Sequence, residues 1–217
     1  MVKIKRKQFQ GFGSIIGDER VSLLEGTVIA CFFPEAGEMT LKDIQERVEY
    51  SYERINSALK SLADKKIVSE KRVGKTLVYS LDLQSLYSLT GFNAYMLQRK
   101  IEFIKMHKPV YKGIKKVFES PYVWGVILFG SYSKGTETKQ SDVDLICIAN
   151  NKEKVESLVK SLKYETNIKF NPVVMPLHEF PNIKKDNFEL WNDLKKYGLV
   201  FKGDDNFYFW LYQNEKD

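Results

Sequence analysis

LFGSYSKGTETKQSDVDL, residues 128–145, joins an apolar run to a Gly-Ser turn, a polar passage and two aspartates separated by one residue. The run leading into it, VWGVILFG (123–130), is short and continuously apolar, as expected of a strand buried on both faces. Gly130 ends that strand. A chain that stops at Gly-Ser and turns sharply offers backbone N–H groups and a hydroxyl to a phosphate. SDVDLICIA (141–149) reads as the next strand. Side chains alternate faces along a strand, so Asp142 and Asp144 project to one side while Val143 points away. Carboxylates so close repel each other unless a cation lies between them. Oxygen ligands of this kind suit Mg²⁺, which completes its shell with water and substrate phosphates. The turn is therefore expected to hold a phosphate and the aspartates a metal ion upon it.

GSYSKGTETKQSDVDL (130–145) resembles the Gly-Ser…Asp-x-Asp signature of the DNA polymerase beta nucleotidyltransferase superfamily, particularly its minimal nucleotidyltransferase domains. The resemblance covers about residues 120–203. It implies that Gly130 and Ser131 contact a triphosphate and that Asp142 and Asp144 are the catalytic, metal-binding pair, for Mg²⁺ or Mn²⁺. Lys134 takes a place where the family often has arginine, and would meet a phosphate as a point charge rather than a fork. Gly135 would keep the turn open. The implied reaction is in-line attack on the α-phosphate of a nucleoside triphosphate with release of pyrophosphate, metal ions clamping the attacking and leaving oxygens.

The family draws a third carboxylate from a later strand. Here that strand is NIKFNPVVM (167–175), after a helix around 152–162, and residues 167–178 hold no acid. Asn171 is the polar residue nearest the expected place. An asparagine can give a carbonyl oxygen to Mg²⁺ but cannot accept a proton as a base, so nucleotide binding is expected and catalysis is left open. Beyond this strand come another helix and GLVFKG (198–203), a short strand. Asp204 and Asp205 follow a glycine and read as turn residues, and Trp191 and Trp210 read as core.

The first half reads differently. Val21, Leu23, Leu24, Val28, Ile29 and Phe32 recur at helical spacing between about Glu19 and Phe33. PEAGEM breaks that pattern. Thr40 with Asp43 makes a capping-box variant ahead of a short helix, Leu41 to Val48. A second helix runs from Tyr52 to Lys65 with Ile55, Leu59 and Leu62 turned inward, and IVSEKRVGKTLVYSLD (67–82) reads as a hairpin around Gly74 and Lys75. Over about residues 19–82 this order resembles the winged helix-turn-helix family. The resemblance implies that the second helix enters a major groove and the wing follows the backbone. Helical projection points Ser57 and Lys60 outward, with Arg54 and Asn56 on the flanks. Lys71, Arg72 and Lys75 would meet phosphates from the wing. Winged helices also serve as protein–protein modules, and Glu53 and Asp64 on the same outward face would repel phosphates. Both uses stand at this point.

Between the halves, LYSLTGFNAYMLQRKIEFIKMHKPVYKGIKKVFES (86–120) is helical in pattern, and Gly91 and Pro109 are expected to divide it. Its lysines (Lys105, Lys108, Lys112, Lys115 and Lys116) could face a polyanion but read first as a solvated face, and His107 and His178 read as surface or structural residues. Lys3, Lys5, Arg6 and Lys7 form a basic N-terminal tail, and the net charge of the whole 217-residue chain, +6, permits nucleic-acid binding without demanding it. No apolar run reaches spanning length, and the stretch MVKIKRKQFQGFG is basic without the apolar core expected of a secretory signal. Cys31 and Cys147 lie in apolar runs and read as buried thiols of a cytoplasmic protein.

The expected fold is α+β. A winged helix-turn-helix occupies residues 1–85, a helical connector 86–118, and a nucleotidyltransferase-like small mixed sheet with flanking helices 119–217. The fused arrangement resembles a group of prokaryotic predicted regulators. That implies a DNA-binding transcriptional regulator whose second domain binds a nucleotide with Mg²⁺. The alternatives are an active nucleotidyltransferase modifying a hydroxyl of a protein, RNA or small molecule, and a purely structural interaction module. Double-stranded DNA and a nucleoside triphosphate are the expected partners, and a homodimer the expected assembly, with no membrane involved.

Overall fold

The computed structural model describes residues 21–213. The basic tail and the first residues of the expected opening helix lie outside the described residues. Helix α1 (Leu23–Cys31) starts at Ser22, whose hydroxyl accepts from the Glu25 amide while the Glu25 carboxylate accepts from the Ser22 amide. Val28, Ile29 and Phe32 are buried as the spacing predicts, but Leu23 is 85% exposed. A two-residue strand β1 (Met39–Thr40) leads into α2 (Leu41–Arg47), capped by Thr40 and Asp43 as expected. Val48, expected as its last residue, is instead an extended C-cap. Helix α3 (Tyr52–Asp64) buries Ile55, Ala58, Leu59 and Leu62. Strands β2 (Val68–Val73) and β3 (Thr76–Leu81) form the hairpin, turning at Gly74 and Lys75. Gly74 has φ +61°, a conformation for which a glycine is suited. The sheet order is β1-β3-β2.

Gly91 does not divide the connector. Helix α4 (Leu86–Met106) runs straight through it. The residue is buried there because α1 crosses at that point: a Cβ on Gly91 would lie 2.3 Å from Ile29 Cγ2. A glycine inside a helix costs about 1 kcal/mol of propensity, and here it permits close packing rather than a break. Pro109 behaves as read, at the start of α5 (Lys108–Phe118), where its missing N–H has no partner to lose. The connector lysines named above are all exposed. His107 sits at the junction of α4 and α5, with Nε2 3.5 Å from Glu137 Oε1. His178 is exposed.

The second sheet contains β4 (Gly125–Phe129), β5 (Val143–Ile148), β6 (Phe170–Met175) and β7 (Leu199–Lys202) in the order β6-β5-β4-β7. Strands β5 and β6 are parallel and the other pairs antiparallel, making the mixed sheet expected. Between β4 and β5 lies the short α6 (Ser131–Lys134), and α7 (Lys152–Thr166) crosses from β5 to β6. Helix α5 lies against this sheet so closely that a Cβ on Gly113 would meet the Phe170 ring at 2.3 Å. After β6 come α8 (Ile183–Asp186), α9 (Phe188–Tyr197) and, beyond β7, α10 (Asp204–Tyr208). Asp204 and Asp205 therefore open a helix rather than a turn, and the Asp204 carboxylate is paired with Lys100 at 2.7 Å. Carboxylates suit the first turn of a helix, where the dipole is positive.

An aromatic cluster joins the halves. Phe33 from the end of α1 packs edge-on to Tyr212 at 5.2 Å between ring centroids and to Phe92 of α4 at 5.6 Å. Tyr208 donates to the Leu83 carbonyl at 2.7 Å and Tyr212 to the Pro34 carbonyl at 3.0 Å. Trp191 is buried, and Trp210 packs against Phe180 and Phe207, so both serve the core as read. Both cysteines are free and buried. Burial pushes the Cys147 thiol up to about 12, and outweighs the opposing pull of Arg47 to leave Cys31 at about 11. Neither supplies a thiolate near neutral pH. Among the described residues no helix is long and apolar enough to cross a membrane.

Candidate functional site

Strand alternation and register place the chemistry. Asp142 immediately precedes β5 and Asp144 lies two residues on, so the two share a face at the strand's opening. Phe129, the last residue of β4, pairs with Asp144, which brings the Gly130 turn directly alongside. Gly130 has φ +74° and ψ −150°, a combination open essentially to glycine alone. A Cβ there would also stand 2.5 Å from Asp144 Oδ2. Gly135, φ +69°, closes the short helix α6 in a left-handed cap. Ser133 Oγ donates to the Gly130 carbonyl at 3.0 Å and fixes the turn from within. The first N–H groups of such a turn lack intrahelical partners and face outward from its start. Ser131 stands at that start, half-buried. Lys134 is engaged elsewhere: its ammonium pairs with Asp193 of α9 at 2.6 Å and lies over the Tyr197 ring.

The parallel pairing of β5 with β6 sets Asn171 opposite Asp144. Asn171 Nδ2 donates to Asp144 Oδ1 at 3.0 Å. The residue nearest the expected third carboxylate is thus an amide in direct contact with the pair. Two positions earlier, just before β6 and with the same parity, Lys169 extends its ammonium onto Asp142 Oδ2 in an ion pair. Lys169 escaped the sequence reading, although its parity with Asn171 was available as a signal. Beside these two residues a cleft of about 510 Å³ opens between α7 and β6, lined by Val159, Lys160, Lys163, Tyr164 and Phe170 among others.

A second residue outside the sequence-based expectations, and one with no sequence signal, is Arg99. From α4 its guanidinium donates to the carbonyls of Ser133 (3.3 Å), Tyr197 (2.8 Å) and Gly198 (2.9 Å). It ties the Gly130 turn to the end of α9, and only the folded chain brings those carbonyls to one arginine.

The residues present fit a hard cation in part. Asp144 Oδ2 faces the Gly130 turn, where a nucleotide's phosphates would complete an ion's shell. Among the described residues no group of three or more His, Cys, Asp or Glu side chains converges. An ion here would therefore depend on the nucleotide for ligands.

The residues expected on a DNA-facing surface are placed separately. Arg54, Ser57 and Lys60 are exposed on α3 and Asn56 is half-buried, with the Arg54 guanidinium 4.7 Å over the Tyr50 ring. Lys71, Arg72 and Lys75 are exposed on the β2–β3 hairpin. Glu53 and Asp64 are exposed on α3 as well.

Residues 111–198 match a family model described as nucleotidyltransferase domain. The match lies within the second half of the chain and supports a nucleotide-binding or nucleotide-transfer capability there. No curated protein and no solved structure gave a match.

Proposed function

We propose that the protein binds a nucleoside triphosphate with Mg²⁺ between the Gly130 turn and Asp142/Asp144, and that its N-terminal unit is a winged helix-turn-helix that binds double-stranded DNA. On this reading it is a cytoplasmic transcriptional regulator, and a homodimer reads two half-sites. The observation that carries the nucleotide reading is the approach of Asp144 Oδ2 to the Gly130 backbone, too close for any side chain at residue 130. Gly130 and Ser131 hold the phosphates, Asp142 and Asp144 the ion, and the ion neutralises phosphate charge. Lys134 reaches a phosphate only by leaving Asp193. The amide at residue 171 cannot take a proton from an acceptor, which favours a nucleotide that is bound as a ligand over one that is rapidly consumed. Calorimetric titration of ATP and GTP tests this: binding that requires Mg²⁺ supports it, and no binding of either overturns it.

The DNA-binding part rests on the order α1-α2-α3-hairpin with cations along the wing. Replacing Lys71 and Lys75 together by glutamate should weaken duplex binding at every sequence. If both contact phosphates, the slope of log K against log salt should fall by about 2. Fluorescence anisotropy across a salt series measures this, and an unchanged slope removes the wing from the interface.

The second reading, an active nucleotidyltransferase, is favoured by the cleft beside Asn171. Lys160 and Lys163 stand on its rim, so an anionic acceptor such as RNA is the acceptor class it fits. Transfer of label from the α-phosphate of ATP to RNA, lost in Asp144→Asn, would establish it. Retained label-free RNA under saturating nucleotide would leave the ligand-binding reading in place.

A further inference from the structure

The acid pair is not treated alike on its two sides. Towards the Gly130 turn, Asp144 presents Oδ2 to the space a nucleotide's phosphates would fill. Towards β6, Asp144 Oδ1 already accepts from Asn171 Nδ2, and Asp142 Oδ2 accepts from Lys169 Nζ. Strand register places both donors on the aspartates' side of the sheet, Asn171 within β6 and Lys169 immediately before it. Residues 169 and 171 have the same parity, and in-register parallel pairing sets Asn171 beside Asp144. The alternating neighbour, Phe170, is held in the core by α5 at Gly113, which fixes which face its neighbours occupy. A second divalent ion on the β6 side needs oxygen acceptors there. It meets instead an ammonium and an amide N–H.

We propose that Lys169 takes the place of a second metal ion, so that this site admits one divalent ion, held between the aspartates and the nucleotide on the Gly130 side. This rests on the reading that the site binds a nucleotide with a divalent cation. Like charges so close exclude each other: an ammonium on Asp142 supplies one positive charge where an ion would supply two, and it brings donors but no acceptors. Asn171 reinforces the exclusion while its N–H faces Asp144. The consequence for function is that the nucleotide's own ion is kept, while the position from which an acceptor hydroxyl would be activated is filled by the protein. Lys169 is a specificity-determining residue for metal count, and its amine has no part in chemistry on this view.

The test counts ions directly. Mn²⁺ is titrated by electron paramagnetic resonance into full-length protein carrying one equivalent of α,β-methylene-ATP, for wild type, Lys169→Met, and Lys169→Met/Asn171→Asp. Both residues are exposed, so circular dichroism and thermal melting should show the variants folded. Wild type should bind one Mn²⁺ per chain. The double variant should bind two, the second at least tenfold more tightly than any further ion in wild type, and Lys169→Met should fall between. Two ions in wild type overturn the proposal, as does a folded Lys169→Met or double variant that still takes only one. Should wild type take no ion, the proposal fails, and calorimetry with the same analogue then separates the cases: retained nucleotide binding spares the nucleotide part of the proposed function, and lost binding removes that too.

Discussion

Changing Asp142 and Asp144 together to asparagine should lower the affinity for ATP or GTP in the presence of Mg²⁺ by more than about a hundredfold. Partners one shell removed from a metal are worth roughly 10–100-fold in affinity, so the ligands themselves should exceed that. The substitution keeps shape and removes charge. An amide can offer one oxygen to Mg²⁺, but two amides cannot offset an ion carrying a triphosphate. The loss should be confined to the magnesium-dependent part of binding, since the Gly130 turn is untouched. Stability should change little, because Asp142 lies at the sheet's rim with its side chain 34% exposed, in an ion pair that is itself open to water. Calorimetry with and without Mg²⁺ reads both arms. A double variant that binds the magnesium complex as tightly as wild type would place the nucleotide elsewhere.

The second large effect lies far from that site. Glu25→Ala should destabilise the protein by about 3 kcal/mol, lowering the melting temperature by roughly 6–12 °C. Glu25 is 4% exposed, at the start of α1, and Lys65 just beyond α3 pairs with it at 2.6 Å. Burial alone would raise its carboxyl. Hydrogen bonds from Lys65, the Ser22 amide, Ser61 and the Ser22 hydroxyl overcome that and hold it at about 2 rather than 4.5. By linkage a difference of that size amounts to about 3 kcal/mol, in line with the cost of breaking a buried pair. The sign follows from the depressed value: the stabilisation is complete above pH 4.5 and disappears as pH falls towards 2. Wild type should therefore lose stability faster than Glu25→Ala through that window, and urea midpoints at several pH values measure the convergence. Parallel curves would mean the pair contributes nothing.

What could be read from the sequence was what local pattern dictates. Asp142 and Asp144 share a face because strands alternate, and the Thr40–Asp43 cap stands where its spacing put it. Asn171 was found at the acid's expected place because β6 pairs in register with β5. Gly91 has the propensity of a helix breaker, but its missing Cβ makes room for Ile29, and that contact is remote in sequence. Asp204 looked like a turn residue for the same reason, its helix being favoured by Lys100 from α4. The strand β1 has only two residues, too few for any alternation to register. Arg99 binds carbonyls from two later segments, so nothing near residue 99 announces its role. Lys169 obeys the same parity as Asn171, but a lysine at that place carries no metal-ligand signal, and only the fold shows its ammonium on Asp142.

The aromatic cluster that seals the first half has a bearing on how the protein is made. Tyr212 meets the Pro34 carbonyl across 178 positions of sequence, and its ring closes on Phe33. A ribosome adding about 5–20 residues per second needs on the order of ten seconds or more to cover that interval. Throughout that time Phe33, and from its own synthesis onward Phe92, stands without the tyrosines that cover it. The nascent N-terminal unit thus waits, its apolar seam uncovered, until the second half of the chain has emerged behind it, and the two halves reach their finished form together.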